Sequence, residues 1–273
     1  MIVNLAFYRF SAVSDPDAYA NELQSLCEAH GIRGSVILAH EGINGMLAGT
    51  EEAVAAFCER LDAMPEFTGT QIKRSYTEVI PFKRLQVKVK PEIVTLRAGE
   101  VPIEKTAPHL APEDFRAALD EPNTVVIDTR NDFEFRVGTF RGAINPGTTA
   151  FHEFVDYLET HRGELENSKI LMFCTGGIRC EKATAWMIDH GFEDVYQLDG
   201  GVLNYFERIP DADKDWSGEL FVFDERITVK TDLTPSTADR CVTCGAPVLA
   251  SGEALCGCGN SSVSSGRSGE DRI

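Results

Sequence analysis

The chain has 273 residues, 43 % apolar and 25 % charged, the balance of an ordinary globular protein with room for two domains. No apolar run approaches the ~18–20 residues that span a bilayer, and no basic stretch leads into an apolar core at the start, so neither a membrane anchor nor a secretory signal is expected. A formal net charge of −17 argues against wholesale, non-specific binding to nucleic acid, DNA included, or anionic membrane, and eight cysteines without an export route point to the reducing cytoplasm, where they are buried, reactive or metal-bound.

Residues 2–10 are apolar and aromatic enough for a strand. Asp15-Pro16 then supplies an N-cap and a proline at the first helical position, and Tyr19, Leu23, Leu26 and Cys27 recur at helical spacing up to Gly31. Residues 35–39 and 46–48 read as two further strands. Between them lies Glu41-Gly42-Ile43-Asn44-Gly45, where Asn44-Gly45 carries the signal of a tight hairpin turn. Thr50 caps a second helix with Val54, Phe57, Cys58 and Leu61 on its core face, and residues 72–76 make a fourth strand. The order β-α-β-β-α-β predicts a ferredoxin-like α+β domain over residues 1–97.

Within it, two short strands are expected at residues 85–90 and 93–96. Residues 98–120 read as a linker, proline-punctuated over 105–112, with a helix at 113–119. From residue 121 to 215 the pattern is α/β. Apolar runs at 124–127, 169–173 and 194–198 suit buried parallel strands, with helices near 151–160 and 181–190 between them. That arrangement predicts a small doubly wound parallel sheet. Residues 216–258 form an extension with four cysteines, and residues 259–273 are flexible by composition.

The chemistry concentrates in Phe173-Cys174-Thr175-Gly176-Gly177-Ile178-Arg179-Cys180. A buried strand ends at Cys174, two glycines turn the chain, and a helix begins near Cys180. Ligands of open α/β sheets bind at this end of the strands. Glycines let successive N–H groups of Thr175, Gly176, Gly177 and Ile178 converge as an anion cradle, and a helix N-terminus adds positive potential. Arg179 adds a full charge at the mouth. All of this favours the Cys174 thiolate, the nucleophilic form. Cys180 is either a resolving thiol or a small residue packed in the first helical turn. Arg130 and Glu134 are expected to form a buried ion pair flooring the loop.

Residues 128–201 resemble a rhodanese domain. The resemblance rests on Asp128-Thr129-Arg130, on Glu134, on Gly138-Thr139-Phe140-Arg141-Gly142-Ala143-Ile144-Asn145-Pro146, and on Gln197-Leu198-Asp199-Gly200-Gly201. It implies that the cysteine matching Cys174 takes up sulfur as a persulfide. Related dual-specificity phosphatases use a loop one residue longer, with the arginine sixth after the cysteine. Here Arg179 is fifth, so the loop is sulfur-sized and a phosphatase is disfavoured.

Roughly residues 1–245 also resemble the tRNA uridine hydroxylase family. Ala39-His40-Glu41-Gly42-Ile43-Asn44-Gly45-Met46-Leu47-Ala48-Gly49 is similar to its N-terminal motif. Residues 82–94 are similar to its basic strand pair, and Cys-Thr-Gly-Gly-Ile-Arg-Cys-Glu-Lys-Ala at 174–183 to its active loop. The resemblance implies hydroxylation at C5 of the wobble uridine of tRNA, with dioxygen as co-substrate. The residues themselves carry no 2-His-1-carboxylate spacing and no dinucleotide fingerprint, so no resident cofactor is identified. Sulfur transfer through a Cys174 persulfide is the alternative reading.

Residues 71–97 hold Lys73, Arg74, Lys83, Arg84, Lys88, Lys90 and Arg97 against Glu78 and Glu92, a net charge of +5. With the family resemblance, Lys73, Arg74, Lys83, Arg84, Lys88 and Lys90 become the expected tRNA contacts, with Tyr76 and Phe82 near enough in sequence to stack on a base. Glu41 and Asn44 read as hairpin residues. Near the end, Cys241, Cys244, Cys256 and Cys258 could bind a structural zinc or stay as reduced thiols. The second pair is more closely spaced than the family pattern.

Overall fold

The structure is a computed structural model that describes residues 1–243, 246–249 and 255. It divides into two compact units, Met1–Ile103 and Glu104–Ile273.

In the first unit, β1 (Ile2–Phe10), α1 (Pro16–Ala29), β2 (Arg33–Ala39), β3 (Gly42–Gly49), α2 (Glu51–Asp62) and β4 (Ile72–Thr77) follow the predicted order, and β5 (Leu85–Val89) is added. The sheet runs β4-β1-β3-β2-β5, antiparallel except for the parallel pair of β5 with β2. Asp15 caps α1 by accepting the Ala18 N–H, and Thr50 caps α2 through the Ala53 N–H. The apolar stripes of both helices pack on Leu5, Phe7, Val36 and Leu38 of the sheet, and Leu23, Cys27, Phe57 and Leu61 are fully buried there. This is the ferredoxin-like sandwich that the pattern predicts.

The turn is not at Asn44-Gly45, as their composition suggests. Ala39 pairs with Gly42, so the turn is His40-Glu41, and Asn44 and Gly45 lie inside β3 opposite Ile37 and Val36. Gly45 is required for space, since a Cβ there would stand 2.4 Å from the ring of Phe7. Asn44 and Glu41 instead grip a later segment: Asn44 Nδ2 donates to the Ile93 carbonyl at 3.1 Å, and the Ile93 N–H donates to Glu41 Oε1 at 2.6 Å. The strand expected at 93–96 is absent for a related reason. The Glu92 carboxylate accepts the N–H groups of Leu96 and Arg97, closing a turn in which Arg97 takes φ +58°.

In the second unit, β6 (His109–Leu110), α3 (Pro112–Leu119), β7 (Thr124–Asp128), α4 (Asp132–Val137), β8 (Gly138–Phe140), α5 (Phe154–Thr160), α6 (Arg162–Leu165), β9 (Lys169–Phe173), α7 (Ile178–Asp189), β10 (Val195–Leu198) and α8 (Gly201–Arg208) follow. The order β6-β10-β9-β7 makes the expected parallel sheet. Short antiparallel pieces close the described chain: β11 (Trp216–Gly218) on β8, β12 (Leu220–Phe221) on β13 (Thr228–Val229), and β14 (Asp239–Arg240) on β15 (Pro247–Val248).

Residues 98–120 are not one linker. The unit boundary falls at Ile103, and residues 109–110 form an edge strand, a place where flanking prolines are tolerated. Polar side chains fix that edge. Thr106 Oγ1 donates to Glu181 Oε2 at 2.8 Å, and Gln197 Nε2 donates to the Ala107 carbonyl at 2.9 Å. Below the sheet's carboxyl end, Phe140 packs edge-on against Phe173, Tyr205 and Trp216 with centroids 4.8, 4.8 and 5.1 Å away. This aromatic floor is buried, and the loop described next follows directly from Phe173.

Candidate active site

Cys174 follows the last residue of β9, and its loop ends at Ile178 with the start of α7. The helix begins two residues earlier than expected, so Arg179 and Cys180 belong to its first turn. Gly177 has φ +109°, and its N–H points back to the Cys174 sulfur at 3.0 Å. Cys174 is 1 % exposed, so its sulfur is shielded from solvent. Burial pushes this thiol's pKa up. Against that act a hydrogen bond from Cys180, the charge of Arg179, and the N–H groups of Arg179 and Gly177, and together they hold it well below the ordinary thiol value. The loop is therefore built to keep a thiolate in a dry setting.

The ion pairs are not those expected. Arg130 and Glu134 do not pair with each other. Arg130 pairs with Asp128, with Nε to Oδ1 at 2.9 Å and Nη2 to Oδ2 at 2.6 Å, both residues fully buried. Its guanidinium lies over the rings of Trp216 and Phe173, which makes it part of the floor. Glu134 instead takes Arg179 in a two-pronged contact, Nη1 to Oε2 at 2.6 Å and Nη2 to Oε1 at 2.9 Å. The same carboxylate accepts the Thr175 hydroxyl at 3.3 Å and the Asn131 N–H at 3.1 Å. Burial raises the Glu134 pKa, but Arg179 outweighs it and the net shift is downward. Arg179 is thus turned inward on Glu134 and fixes the loop from beneath. It acts on Cys174 through its field.

Cys180 is fully buried in the first turn of α7. Burial, then Cys174 itself, hold its pKa well above the ordinary thiol value, so it stays protonated. Both are free thiols.

The glycine turn at Gly200-Gly201, which in sequence only supports the rhodanese resemblance, brings α8 against the loop. Val202 N–H donates to the Cys174 carbonyl at 3.0 Å and Leu203 N–H to the Thr175 carbonyl at 3.1 Å, so the first turn of α8 carries the loop. Gly201 has φ +66°, and a Cβ there would stand 2.4 Å from the Cys174 carbonyl oxygen. Thr129 also stands beside the loop, within 3.6 Å of the Cys180 sulfur. A lone threonine at a strand end carries no signal by which sequence alone could find it.

The basic residues are contiguous in sequence but divided in space. Lys73 and Arg74 lie on β4, at one edge of the first unit's sheet, and Arg74 Nη2 contacts the Cys58 sulfur at 3.7 Å. Lys83, Arg84, Lys88 and Lys90 lie on or beside β5, at the other edge, and are exposed. Four strand spacings of about 4.8 Å separate these edges, about 19 Å. Tyr76 is 58 % exposed on the β4 edge. Of the four tail cysteines, Cys241 is buried, while Cys244, Cys256 and Cys258 lie outside the described residues. Among the described residues no cluster of three or more His, Cys, Asp or Glu is placed to hold a metal ion.

A ferredoxin-like sandwich followed by a parallel sheet with a six-residue cysteine–arginine loop, Cys174 to Arg179, defines a two-domain protein of the rhodanese class. The model of the UPF0176 acylphosphatase like domain matches residues 2–93, and that of the Rhodanese-like domain residues 111–208. A tRNA uridine(34) hydroxylase of Mesorhizobium japonicum is 45 % identical over 247 residues, covering 90 % of this chain and 80 % of the relative. One of Synechococcus elongatus is 46 % identical over 250 residues, covering 91 % and 93 %. The chain belongs to the tRNA uridine(34) hydroxylase family. Among solved structures, a rhodanese-like domain from Anabaena aligns with a TM-score of 0.33 and 21 % identity, over 41 % of this chain and 79 % of that one.

Proposed function

We propose that this protein hydroxylates the wobble uridine of tRNA to 5-hydroxyuridine, with Cys174 essential to the reaction. The observation that carries the reading is the 45 % identity to named tRNA uridine(34) hydroxylases over nine-tenths of the chain. Dioxygen is the co-substrate: one oxygen atom enters at C5, and the other leaves as water with two electrons and two protons from a cellular reductant. The Cys174 thiolate is the nucleophile at the site, with Gly177 N–H on its sulfur and the Arg179–Glu134 pair fixing the loop. Its burial suits a small oxidised or sulfur-bearing species arriving at the mouth better than a bulky partner. The basic edges at Lys73 and Arg74 and at Lys83, Arg84, Lys88 and Lys90 contact tRNA phosphates. A tRNA-modifying enzyme works in the cytoplasm; no described helix is long and apolar enough to cross a membrane.

The test is nucleoside mass spectrometry on tRNA from cells lacking the gene, complemented with wild type or Cys174→Ala. 5-Hydroxyuridine is expected to return with wild type and to stay absent with the variant. If it returns with both, Cys174 has no part in hydroxylation. If wild type restores nothing, the loop's fit to a single sulfur favours persulfide transfer through Cys174, and thiosulfate-to-cyanide transfer becomes the assay.

A further inference from the structure

The sheet of the first unit has two faces of different character. Val3, Leu5 and Phe7 of β1 point into the core beneath α1 and α2. By alternation Asn4, Ala6, Tyr8 and Phe10 lie on the opposite face. The register sets Lys73 of β4, Met46 of β3, Ser35 of β2 and Gln86 of β5 in one row with Ala6. The next row runs Tyr8, Asn44, Ile37 and Lys88, and Arg33 shares the face two residues before Ser35. Arg33 and Lys88 are exposed, and Ala6, Tyr8, Phe10 and Met46 are half-buried. None of the five strands contains an Asp or Glu, although the chain has 43 of them against 26 Lys and Arg. The acids of this unit stand on its helices instead, Glu22, Glu28, Glu52 and Glu59 among them. At the β2–β3 turn Glu41 is directed onto the Ile93 N–H. The rings of Tyr8 and Phe10 meet edge-on with centroids 6.3 Å apart. Tyr76 does not share this face, since it lies opposite Val3 on the helix side.

We propose that this open face binds the unpaired nucleotides of the anticodon loop, with Tyr8 and Phe10 stacking on bases while Lys73, Arg33 and Lys88 hold phosphates. The proposal rests on tRNA being the substrate. A base is flat and uncharged, so it gains most on an aromatic ring and a smooth bed, and Ala6 and Ala48 let it approach the strands. The cations stand at both edges of the same face, Lys73 on β4 and Lys88 on β5, so an RNA loop held at each edge crosses the strands between them. Ser35 and Gln86 add neutral hydrogen-bonding groups that do not repel phosphate. A duplex gains nothing from the two rings, because its bases are already stacked inside the helix. An ordinary solvated face in so acidic a chain would carry carboxylates, and this one has none on its strands.

The experiment measures tRNA binding by the full-length protein across a salt series, without turnover. Tyr8→Leu is expected to weaken binding about tenfold at every salt concentration with the log–log slope unchanged, and Tyr8→Phe to bind like wild type. Arg33→Gln is expected to lower the slope by about 0.7, the loss of one single-strand phosphate contact. Unstructured oligouridine should compete with tRNA better than duplex RNA of equal length. A folded Tyr8→Leu that binds like wild type, or duplex competing as well as oligouridine, overturns the proposal. Ultraviolet cross-linking of the wild-type complex, read by peptide mass spectrometry, covers the case in which Tyr8→Leu does not fold. An anticodon-loop nucleotide is expected on residues 2–10, and cross-links confined to residues 71–77 and 83–90 overturn the face. Wild type that binds tRNA with no effect from these variants removes the face and leaves the hydroxylase reading standing. Wild type that binds no tRNA overturns both.

Discussion

Glu134 holds more of the site than any motif suggests. One fully buried carboxylate satisfies Arg179, the Thr175 hydroxyl and the Asn131 N–H. Removing its charge leaves the Arg179 guanidinium buried without a counter-ion, and breaking such a pair typically costs about 3–5 kcal/mol. Glu134→Gln is therefore expected to lower unfolding free energy by roughly 3 kcal/mol in urea titrations. Its pH dependence has a definite sign. The folded-state pKa of Glu134 is lowered, so its contribution is complete above the unfolded value of about 4.3 and is lost as pH falls through the folded one. The wild-type advantage over Glu134→Gln should thus shrink in acid and stay level near neutrality. At this scale Cys174 and Arg179 were legible, because strand end, glycines, arginine and helix start stand in order along a short stretch. The partnerships were not. Asp128, Arg130, Glu134 and Arg179 allow two ways of pairing opposite charges, and only packing decides between them. Arg130 goes to Asp128 because its guanidinium is laid across Trp216.

Helices and strands were legible where one face is apolar at a clear period. Both helices and all four core strands of the first sandwich are of that kind. What misleads is local turn chemistry set against pairing. Asn44-Gly45 has the ideal composition for a tight turn, yet β3 is paired on both sides, and the ring of Phe7 needs the space a glycine leaves. Short elements are hidden as well, among them α4, β8 and α8, since three to eight residues show too little periodicity. One of them matters for chemistry. The first turn of α8 holds the loop carbonyls, and Gly201 is the point of closest approach. Gly201→Ala demands both a strained φ and movement of the Cys174 carbonyl, so its tRNA hydroxylation should fall at least about tenfold while circular dichroism stays native. Activity equal to wild type would show that the loop has slack which its packing does not suggest.

Across the whole molecule, the net charge of −17 conceals two basic sheet edges on the first unit. Their existence was legible as a run of lysines and arginines, but their division was not, because β4 and β5 are adjacent in sequence and at opposite edges in space. A polyanion that reaches both edges meets cations separated by the width of the sheet, an arrangement suited to a folded RNA more than to a short strand. Lys88→Glu with Lys90→Glu is expected to weaken tRNA binding and to lower the log–log salt slope by about 0.7–0.9 for each phosphate that is no longer neutralised. An unchanged slope would remove the β5 edge from the interface. The dependence of the cysteine loop on α8 has a consequence for the protein's making. A chain leaving the ribosome presents Cys174 well before Val202 and Leu203 have been made. The loop carbonyls at 174 and 175 find their N–H donors only once residues 202 and 203 have joined the fold, so the shape of the loop is one of the last things the domain completes.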